Sequence, residues 1–428
     1  MALGLLLSLA VAVAAQIDTF CPPVPFHGFP DTCPSTPTRG PNSTIGVCTQ
    51  DFDIIGSGLE AVHESIQAPT GLAVDSTLNV YLTYPRNSGP TPKNVVLATS
   101  FTEEEPWPSA DIQNCTPSQN ISECFINVQN VVLDSLGQMW VIDSGIAPGQ
   151  SSAVLFGTKV MSFNVTTREL IRTYFIPESL LYENMNANDL RINNTLGTNG
   201  YAFITDASAA GSLITINLDD GSASRRLFNT TVTRADRNFV GSYNGRPLYG
   251  WNGTTKLFPK TGSDGIALAS GNVYWGVLAS RRYYFILQST LVDDTISDKD
   301  MLDAVQDPGQ LGSEQAGFTA DDRGRVYIMA SEHNAIYYVD TVQSEMREEV
   351  NGVAPGGSGL VATENYMVKT LVRSGLIQHA DSAAIMDGWL YFCTNQLALS
   401  PARQYNNVDA RKGPFRSYRT RIGRGPAA

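Results

Sequence analysis

Short apolar strands separated by polar turns recur along the chain, and the pattern is clearest in residues 263–286. This segment, SDGIALASGNVYWGVLASRRYYFI, predicts three strands over Ile266–Leu268, Val273–Val277 and Tyr283–Leu287. A Gly-Asn turn and a Ser-Arg-Arg turn separate them. Each strand is rich in β-branched and aromatic residues and is bounded by turn formers, which predicts antiparallel hairpins.

The same pattern occurs six times, with further copies at residues 68–86, 128–145, 186–208, 313–340 and 379–397. One hairpin cannot bury both of its faces, so a ring of copies is the stable arrangement. We therefore predict an all-β fold, a six-bladed β-propeller over residues 51–425, with long loops between the blades. A β-sandwich is the alternative, but sandwiches lack this self-similarity. The segment 413–422, GPFRSYRTRI, is predicted to be an edge strand that helps to close the ring.

The N-terminus has the features of an exported protein. Residues 1–15 are apolar and end in the small-residue site Val13-Ala14-Ala15, which predicts a signal peptide although Lys and Arg are absent from its start. Residues 16–50 form a Pro/Cys-rich arm. No other apolar stretch is long enough to span a membrane, so we expect a protein that is secreted or lies in the lumen of the secretory pathway. Seven glycosylation sequons agree with this: Asn42, Asn114, Asn120, Asn164, Asn193, Asn229 and Asn252.

The six cysteines suggest disulfides in an exported chain. Cys115 and Cys124 are the best pair, because the short loop between them keeps them close. Cys393 and the three cysteines of the arm, Cys21, Cys33 and Cys48, are left to share two bridges. One bridge from the arm to Cys393 would tie the N-terminus to the last blade. The chain has no CxxC pair or His cluster, which argues against zinc.

Charge and motifs narrow the function classes. The formal net charge of −12 argues against a nucleic-acid partner. The chain has no Gly-x-Ser-x-Gly, P-loop or dinucleotide-binding motif, so a serine-hydrolase elbow, NTP and NAD are not supported.

The candidate site follows from the propeller geometry. The innermost strand of each blade begins at the central channel, and its first polar residue tends to face the axis, where ligands bind. Such a ring of carboxylates and amides must hold water, a cation or a polar ligand. The positions are Thr70, Asn130, Asn188 with Asp189, Asp264, Gln315 beside Glu314, and Asp381.

Two residues of the last repeat could supply acid–base chemistry. His379 and Asp381 lie at the channel end of this blade, where an imidazole held by a carboxylate can transfer protons. A surface histidine in a loop is the equally acceptable alternative. Phe318, with other aromatic residues, could form a wall for a planar ligand. For most of these aromatic residues, packing between blades is the favoured interpretation. They are Tyr274, Trp275, Tyr283 and Tyr284.

Several segments resemble the major royal jelly protein/Yellow family. They are MWVIDSG at Met139–Gly145, YPR at Tyr84–Arg86, PWPSADIQN at Pro106–Asn114, NDL at Asn188–Leu190, DGIAL at Asp264–Leu268, LASRRYY at Leu278–Tyr284, EHNAI at Glu332–Ile336, NQL at Asn395–Leu397 and GPFRSYR at Gly413–Arg419. The resemblance covers residues 50–425. Leu136 stands where the insect members have a cysteine, and His379-Ala380 replaces a Trp-Pro pair. These departures, with the glycoprotein character, favour a fungal branch among microbial members.

A second resemblance concerns calcium. Asn130, Asn188 and Asp264 are similar to the ligands of gluconolactonase and paraoxonase propellers, whose oxygen donors suit Ca²⁺. Those enzymes add a glutamate from the first blade. Here the equivalent position is near Thr70, and the nearest acids are Glu60 and Glu64, so the resemblance gives an incomplete ligand set.

The resemblance implies three functions. The leading prediction is a secreted isomerase or cyclase, requiring no cofactor, that acts on a planar aromatic or quinonoid small molecule in secondary metabolism. Dopachrome-like tautomerisation and cyclisation of a quinone methide are the model reactions. The alternatives are a binding protein for an aromatic amine and a calcium-dependent lactonase. In each case the expected partner is a small molecule held at the mouth of the propeller.

Overall fold

The computed structural model describes residues 54–85 and 93–427. Within these residues, six β-sheets surround a common axis, which confirms the predicted all-β, six-bladed propeller. The predicted signal peptide, the Pro/Cys-rich arm with its three cysteines, and Asn42 lie outside the described residues.

The strands are numbered in chain order. Two short strands precede the first blade: β1 (Ile55–Gly56) and β2 (Glu60–Ser65). Blade 1 contains β3 (Gly71–Val74), β4 (Val80–Thr83), β5 (Val95–Ala98) and β6 (Glu104–Pro106). Blade 2 contains β7 (Val128–Leu133), β8 (Gln138–Asp143), β9 (Lys159–Asn164) and β10 (Leu170–Phe175). Blade 3 contains β11 (Ala187–Asn193), β12 (Tyr201–Asp206), β13 (Ser212–Asn217) and β14 (Ala223–Arg226).

Two hairpins follow blade 3: β15 (Gly241–Tyr243) with β16 (Arg246–Leu248), and β17 (Gly250–Asn252) with β18 (Thr255–Leu257). Blade 4 has three strands: β19 (Ser263–Ala269), β20 (Asn272–Val277) and β21 (Tyr283–Leu287). Blade 5 contains β22 (Gln315–Ala320), β23 (Arg325–Ala330), β24 (Ala335–Asp340) and β25 (Lys369–Arg373), with β1 at its edge. Blade 6 contains β26 (Ala380–Met386), β27 (Trp389–Thr394) and β28 (Phe415–Arg421), with β2 at its edge.

Helical segments are short and lie between strands. Among the described residues, two α-helices, α1 (Gln288–Leu291) and α2 (Asp298–Ala304), follow β21, where the other blades have a fourth strand. The 3₁₀ segments are Ile121–Glu123, Glu178–Leu180, Ser331–His333, Gln343–Glu345, Thr363–Asn365, Leu397–Leu399, Pro401–Arg403 and Tyr405–Asn407. No helix of the described residues is both long and apolar enough to cross a membrane.

A repeated acidic turn explains much of the sequence repeat. After the inner strand, an aspartate accepts hydrogen bonds from the backbone N–H groups two and four residues later, and from the aromatic side chain six residues later. These hydrogen bonds are 2.8–3.0 Å long, and they hold the turn and the aromatic side chain in place. The pairs are Asp75 with Tyr81, Asp134 with Trp140, and Asp321 with Tyr327.

The hydrophobic core lies between neighbouring blades. Trp275 and Tyr284 pack with blade 3 residues such as Phe203. Tyr274 and Phe318 belong to the core between blades 4 and 5. These aromatic side chains therefore hold blades together, which was the favoured interpretation for most of them.

Strands β2 and β28 close the ring together, so residues 413–422 help to close it as predicted but do not lie at the edge. Phe415–Arg421 is not an edge strand, because it lies between β27 and the edge strand β2. Charge complementarity supports this pairing: Glu64 and Glu60 of β2 form ion pairs with Arg416 and Arg419 of β28.

The cysteines follow the prediction in part. Cys115 and Cys124 form a disulfide, as expected. Cys393 is a buried free thiol on β27, so the expected bridge from the arm to Cys393 is not present. Its sulfur instead lies 3.6 Å from the carbonyl oxygen of Thr70.

Four of the predicted glycosylation sites are exposed, and two are half-buried. The exposed ones are Asn120, Asn164, Asn229 and Asn252, and the half-buried ones are Asn114 and Asn193.

Candidate functional site

The inner strands of the blades begin at one end of the channel and enclose a cavity of about 270 Å³. Its wall brings together seven of the residues that the sequence placed at the channel. They are Thr70, Asn130, Asn188, Asp189, Asp264, His379 and Asp381.

Irregular pairing at the start of the inner strands determines which side chains face this cavity. In blades 2 to 6 the register between the first and second strands shifts within the first few residues of the inner strand. A β-bulge of this kind turns side chains away from regular alternation. Polar residues can therefore face the channel while the rest of each strand packs in the core.

Glycines allow the inner strands to approach one another. A Cβ atom on Gly265 would lie 2.3 Å from the carbonyl oxygen of Ala316. A Cβ atom on Gly317 would lie 1.8 Å from the carbonyl oxygen of Asp381. No side chain fits at either position, so β19 and β26 can both pack closely against β22. Asp264 and Asp381 therefore lie on either side of β22.

Amide groups hold the cavity carboxyls. Asn188 donates a hydrogen bond to Asp264. Asn395 donates to Asp381 at 2.5 Å, so Asp381 accepts from this amide rather than from His379. Asn395 was not among the predicted site residues. It directly follows β27, the second strand of blade 6.

The electrostatics of the cavity favour protonated carboxyls. Burial raises the pKa of Asp264 well above its ordinary value, and the charges of Asp381 and Asp189 add to this. Burial also raises the pKa of Asp381 to about 8, against the hydrogen bond from Asn395. Asp381 is half-buried and lines the cavity. At neutral pH, Asp264 and Asp381 therefore cannot both carry a full charge.

His379 is a neutral imidazole at the cavity wall. Its side chain is buried, and its Nε2 atom has no hydrogen-bond partner among the described residues. Burial, with the nearby charge of Arg403, lowers the pKa of His379 to about 3. Its backbone has a φ of 57°, a strained conformation of the kind found at functional sites. His379 therefore does not supply an imidazolium proton at neutral pH, and its Nε2 atom is buried from solvent.

Part of the mouth is covered by two loops. The segment between β27 and β28 reaches the β17–β18 hairpin, where Asn407 donates to the carbonyl oxygen of Trp251 at 3.0 Å. Beneath this contact, Arg403 pairs with Glu314 at 2.8 Å. A second, much smaller cavity lies here and shares His379 with the main cavity. The covering loops therefore shield His379 from solvent.

Two predicted site residues lie elsewhere. The Nε2 atom of Gln315 donates to the carbonyl oxygens of Val277 and Arg282, which joins blades 4 and 5. Phe318 is fully buried between the same blades. The pairing of β22 with β23 shifts register between Gln315 and Phe318. As a result, Ala316 and Gly317 line the cavity in place of these two residues.

The predicted calcium ligands remain incomplete. The first-blade position, Thr70, has a hydroxyl that donates to the carbonyl oxygen of Gln129 at 2.7 Å. Glu60 and Glu64 are engaged in the ion pairs between β2 and β28. Within residues 54–85 and 93–427, no group of three or more His, Cys, Asp or Glu side chains is arranged to hold a metal. These residues do not fit a calcium site of the expected type.

The geometry can be compared with known proteins. The model of the family described as major royal jelly protein matches residues 126–423. No curated protein matches the chain. Among solved structures, a luciferin-regenerating enzyme is 12% identical, with a TM-score of 0.48, over 87% of this chain and 98% of the other. The calcium-binding protein regucalcin from Agrobacterium tumefaciens is 10% identical, with a TM-score of 0.47, over 88% and 97%. Virginiamycin B lyase from Staphylococcus aureus is 12% identical, with a TM-score of 0.42, over 87% and 100%.

Proposed function

Because the chain belongs to the major royal jelly protein family, we propose that it is a secreted isomerase or cyclase that needs no cofactor and acts on a small aromatic or quinonoid molecule. The observation that carries this proposal is that Asp264 and Asp381 line one cavity and that burial raises the pKa of both carboxyls. A group with a pKa near the working pH is well suited to proton transfer.

The chemistry is a proton relocation. The ionised member of the pair removes a proton from a carbon of the substrate, and the protonated member donates one to an oxygen or nitrogen at another position. The π-electrons of the substrate shift between these positions, so the product is an isomer and no oxidant is consumed. Asn188, which lines the same cavity, would orient polar groups of the substrate.

The dimensions of the cavity support a small substrate. Its volume of about 270 Å³ is just below the usual range for sites that bind drug-sized ligands. Leu278 and Leu397 supply an apolar part of the wall. A compound of one or two fused rings suits this space.

The test uses a dopachrome-type aminochrome as the probe. The mature protein is incubated with it, the loss of its visible absorbance is followed, and products are identified by mass spectrometry. We expect a product of unchanged mass, formed by the wild type and by the surface control Asp303→Asn, but slowed at least about 100-fold by Asp381→Asn and Asp264→Asn. Equal rates in all four proteins would exclude the carboxyl pair as the catalyst.

A second function, the binding of an organic amine, is favoured by the acidity of the cavity. Three carboxyls line the wall, so a cationic ligand would complement them. Binding would also ionise Asp264 and Asp381 and release protons. Calorimetry with tyramine in buffers of different ionisation enthalpy measures both effects. Tight binding with proton release and without an isomerised product would favour this function over the enzyme.

The third predicted function, a calcium-dependent lactonase, has no such support because its ligand set is incomplete. We expect a chelator to leave activity unchanged, whereas loss of activity that Ca²⁺ restores would reinstate it.

Secretion is supported by the Cys115–Cys124 disulfide. N-terminal sequencing of the exported protein should begin at Gln16, and an intact Met1 would contradict the predicted cleavage. Glycosylation and the fungal branch stay predictions.

A further inference from the structure

One cation reaches across the central channel. Arg191 lies on β11, three residues after Asn188, which places it about 10 Å deeper along the strand. Its side chain is mostly buried, and its Nη2 atom donates a hydrogen bond to the carbonyl oxygen of Phe318. β11 belongs to blade 3 and β22 to blade 5, with blade 4 between them. The side chain therefore crosses the channel beneath the cavity.

The same guanidinium holds one of the cavity carboxyls. Its Nη1 atom donates to Oδ1 of Asp189 at 2.7 Å. That oxygen also accepts hydrogen bonds from the side chain of Asn130 at 2.5 Å and from the backbone N–H of Leu190 at 2.7 Å. Several donors and a cation on one carboxylate favour its ionised form.

The other two carboxyls accept side-chain hydrogen bonds from amides: Asp264 from Asn188 and Asp381 from Asn395. The charged groups around them are engaged with one another. The further groups facing the site are His379, Glu314 with Arg403, Glu332 with Arg281, and Arg411 with Asp409. Of the three cavity carboxyls, Asp189 is thus the one in direct contact with a cation.

We propose that Arg191 is a positioning residue that closes the channel beneath the cavity and fixes the negative charge on Asp189, leaving Asp264 and Asp381 to exchange protons. The consequence for catalysis rests on the proposed function, whereas the placement of the charge does not.

The direction of the effect follows from burial. Burial raises the pKa of Asp189, and Arg191 opposes this rise. Replacing Arg191 with methionine removes the opposition, so the pKa of Asp189 rises further in the folded protein. A carboxyl whose pKa is raised by folding costs stability as the pH rises from its unfolded value through its folded value. The loss caused by Arg191→Met should therefore be larger at pH 8 than at pH 5.

The test is a double-mutant cycle on the mature protein, measured by urea unfolding at pH 5 and pH 8. The proteins are the wild type, Arg191→Met, Asp189→Asn and the double variant. We expect Arg191→Met to increase the unfolding constant by on the order of 100-fold more at pH 8 than at pH 5. The double variant should be more stable at pH 8 than Arg191→Met, because it has no carboxylate left to ionise. If the Arg191→Met protein does not fold by itself but folds when Asp189→Asn is added, the proposal is supported.

A matched control separates charge from packing. Arg424→Met breaks another buried arginine–aspartate pair, with Asp321, on the far side of blade 5 from the cavity. Asp189→Asn should not rescue this variant. Equal losses at both pH values, or a double variant no more stable than Arg191→Met, would show that Arg191 only fills space and would overturn the proposal.

The two proposals fail separately. Unfolding measurements use no substrate, so a protein with no isomerase activity can still show the pH-dependent coupling of Arg191 and Asp189. Conversely, an active enzyme whose pH profile of kcat is unchanged by Arg191→Met, and whose mutant cycle shows no coupling of Arg191 and Asp189, would refute only the role given to Arg191.

Discussion

Replacing Asp381 with asparagine should stabilise the fold while removing its chemistry. Folding raises the pKa of this carboxyl from 3.8 to about 8, chiefly by burial. Asparagine has nearly the same shape, and its side-chain oxygen can still accept the hydrogen bond from Asn395. The substitution therefore removes the ionisation without removing the contact.

The magnitude follows from linkage. Between the unfolded pKa and pH 7 lie about three pH units, and each is worth about 1.36 kcal/mol. The upper limit of the cost is thus about 4 kcal/mol at pH 7, and water in the cavity reduces it, so we expect about 2 to 4 kcal/mol. The pKa of Asp381 is higher in the folded than in the unfolded protein, so its ionisation destabilises the fold. This loss of stability is absent near pH 4 and grows until about pH 8.

Urea unfolding at pH 4, 5, 6, 7 and 8 measures this effect on the wild type, Asp381→Asn and the surface control Asp303→Asn. The free energy of unfolding of Asp381→Asn should equal that of the wild type at pH 4 and exceed it increasingly towards pH 8. The control should follow the wild type throughout. Parallel curves for Asp381→Asn and the wild type would refute the reasoning, since they would mean that Asp381 ionises as readily in the folded protein as in the unfolded one.

Three further predictions concern the rest of the site and its frame. Gly317→Ala places a Cβ atom 1.8 Å from a carbonyl oxygen of blade 6, so it should lower the unfolding free energy by about 3 kcal/mol or more. Gly58→Ala, with open space around it, should change it by less than about 0.5 kcal/mol; similar losses in a thermal melt would contradict the close approach. Replacing Cys115 and Cys124 with serine opens a short loop, and calorimetry should give a loss of about 2.5 kcal/mol. The imidazole NMR signals of His379, assigned with His379→Gln, should not titrate between pH 5 and 8, because burial lowers its pKa to about 3; a midpoint near 6.5 would contradict this.

The repeat made the propeller predictable from the sequence. In three of the six copies an acidic turn, such as that of Asp134, binds an aromatic side chain six residues later and strengthens the repeat. The strand Tyr283–Leu287 was predicted with its observed bounds, whereas its two neighbours extend further into their turns. Ring closure was not predictable in the same way, because β2 lies outside the repeat and joins β28 through ion pairs made by residues far apart in sequence.

The site was predictable where polar residues begin an inner strand, as Asn130, Asn188 and Asp264 do. It was not predictable at blade 5, where a register shift turns Gln315 into the packing between blades. The sequence also gave no measure of burial, which makes His379 a neutral imidazole rather than an acid. The available signal for the channel-crossing arginine was its place on an inner strand, two residues after Asp189.

The most direct test is a crystal structure of the mature protein soaked with the aminochrome or its isomerised product. The account predicts ligand density in the central cavity, within hydrogen-bond distance of Asp381 and Asp264. Ligand bound on the outer surface of the blades, with the cavity holding only water, would contradict it.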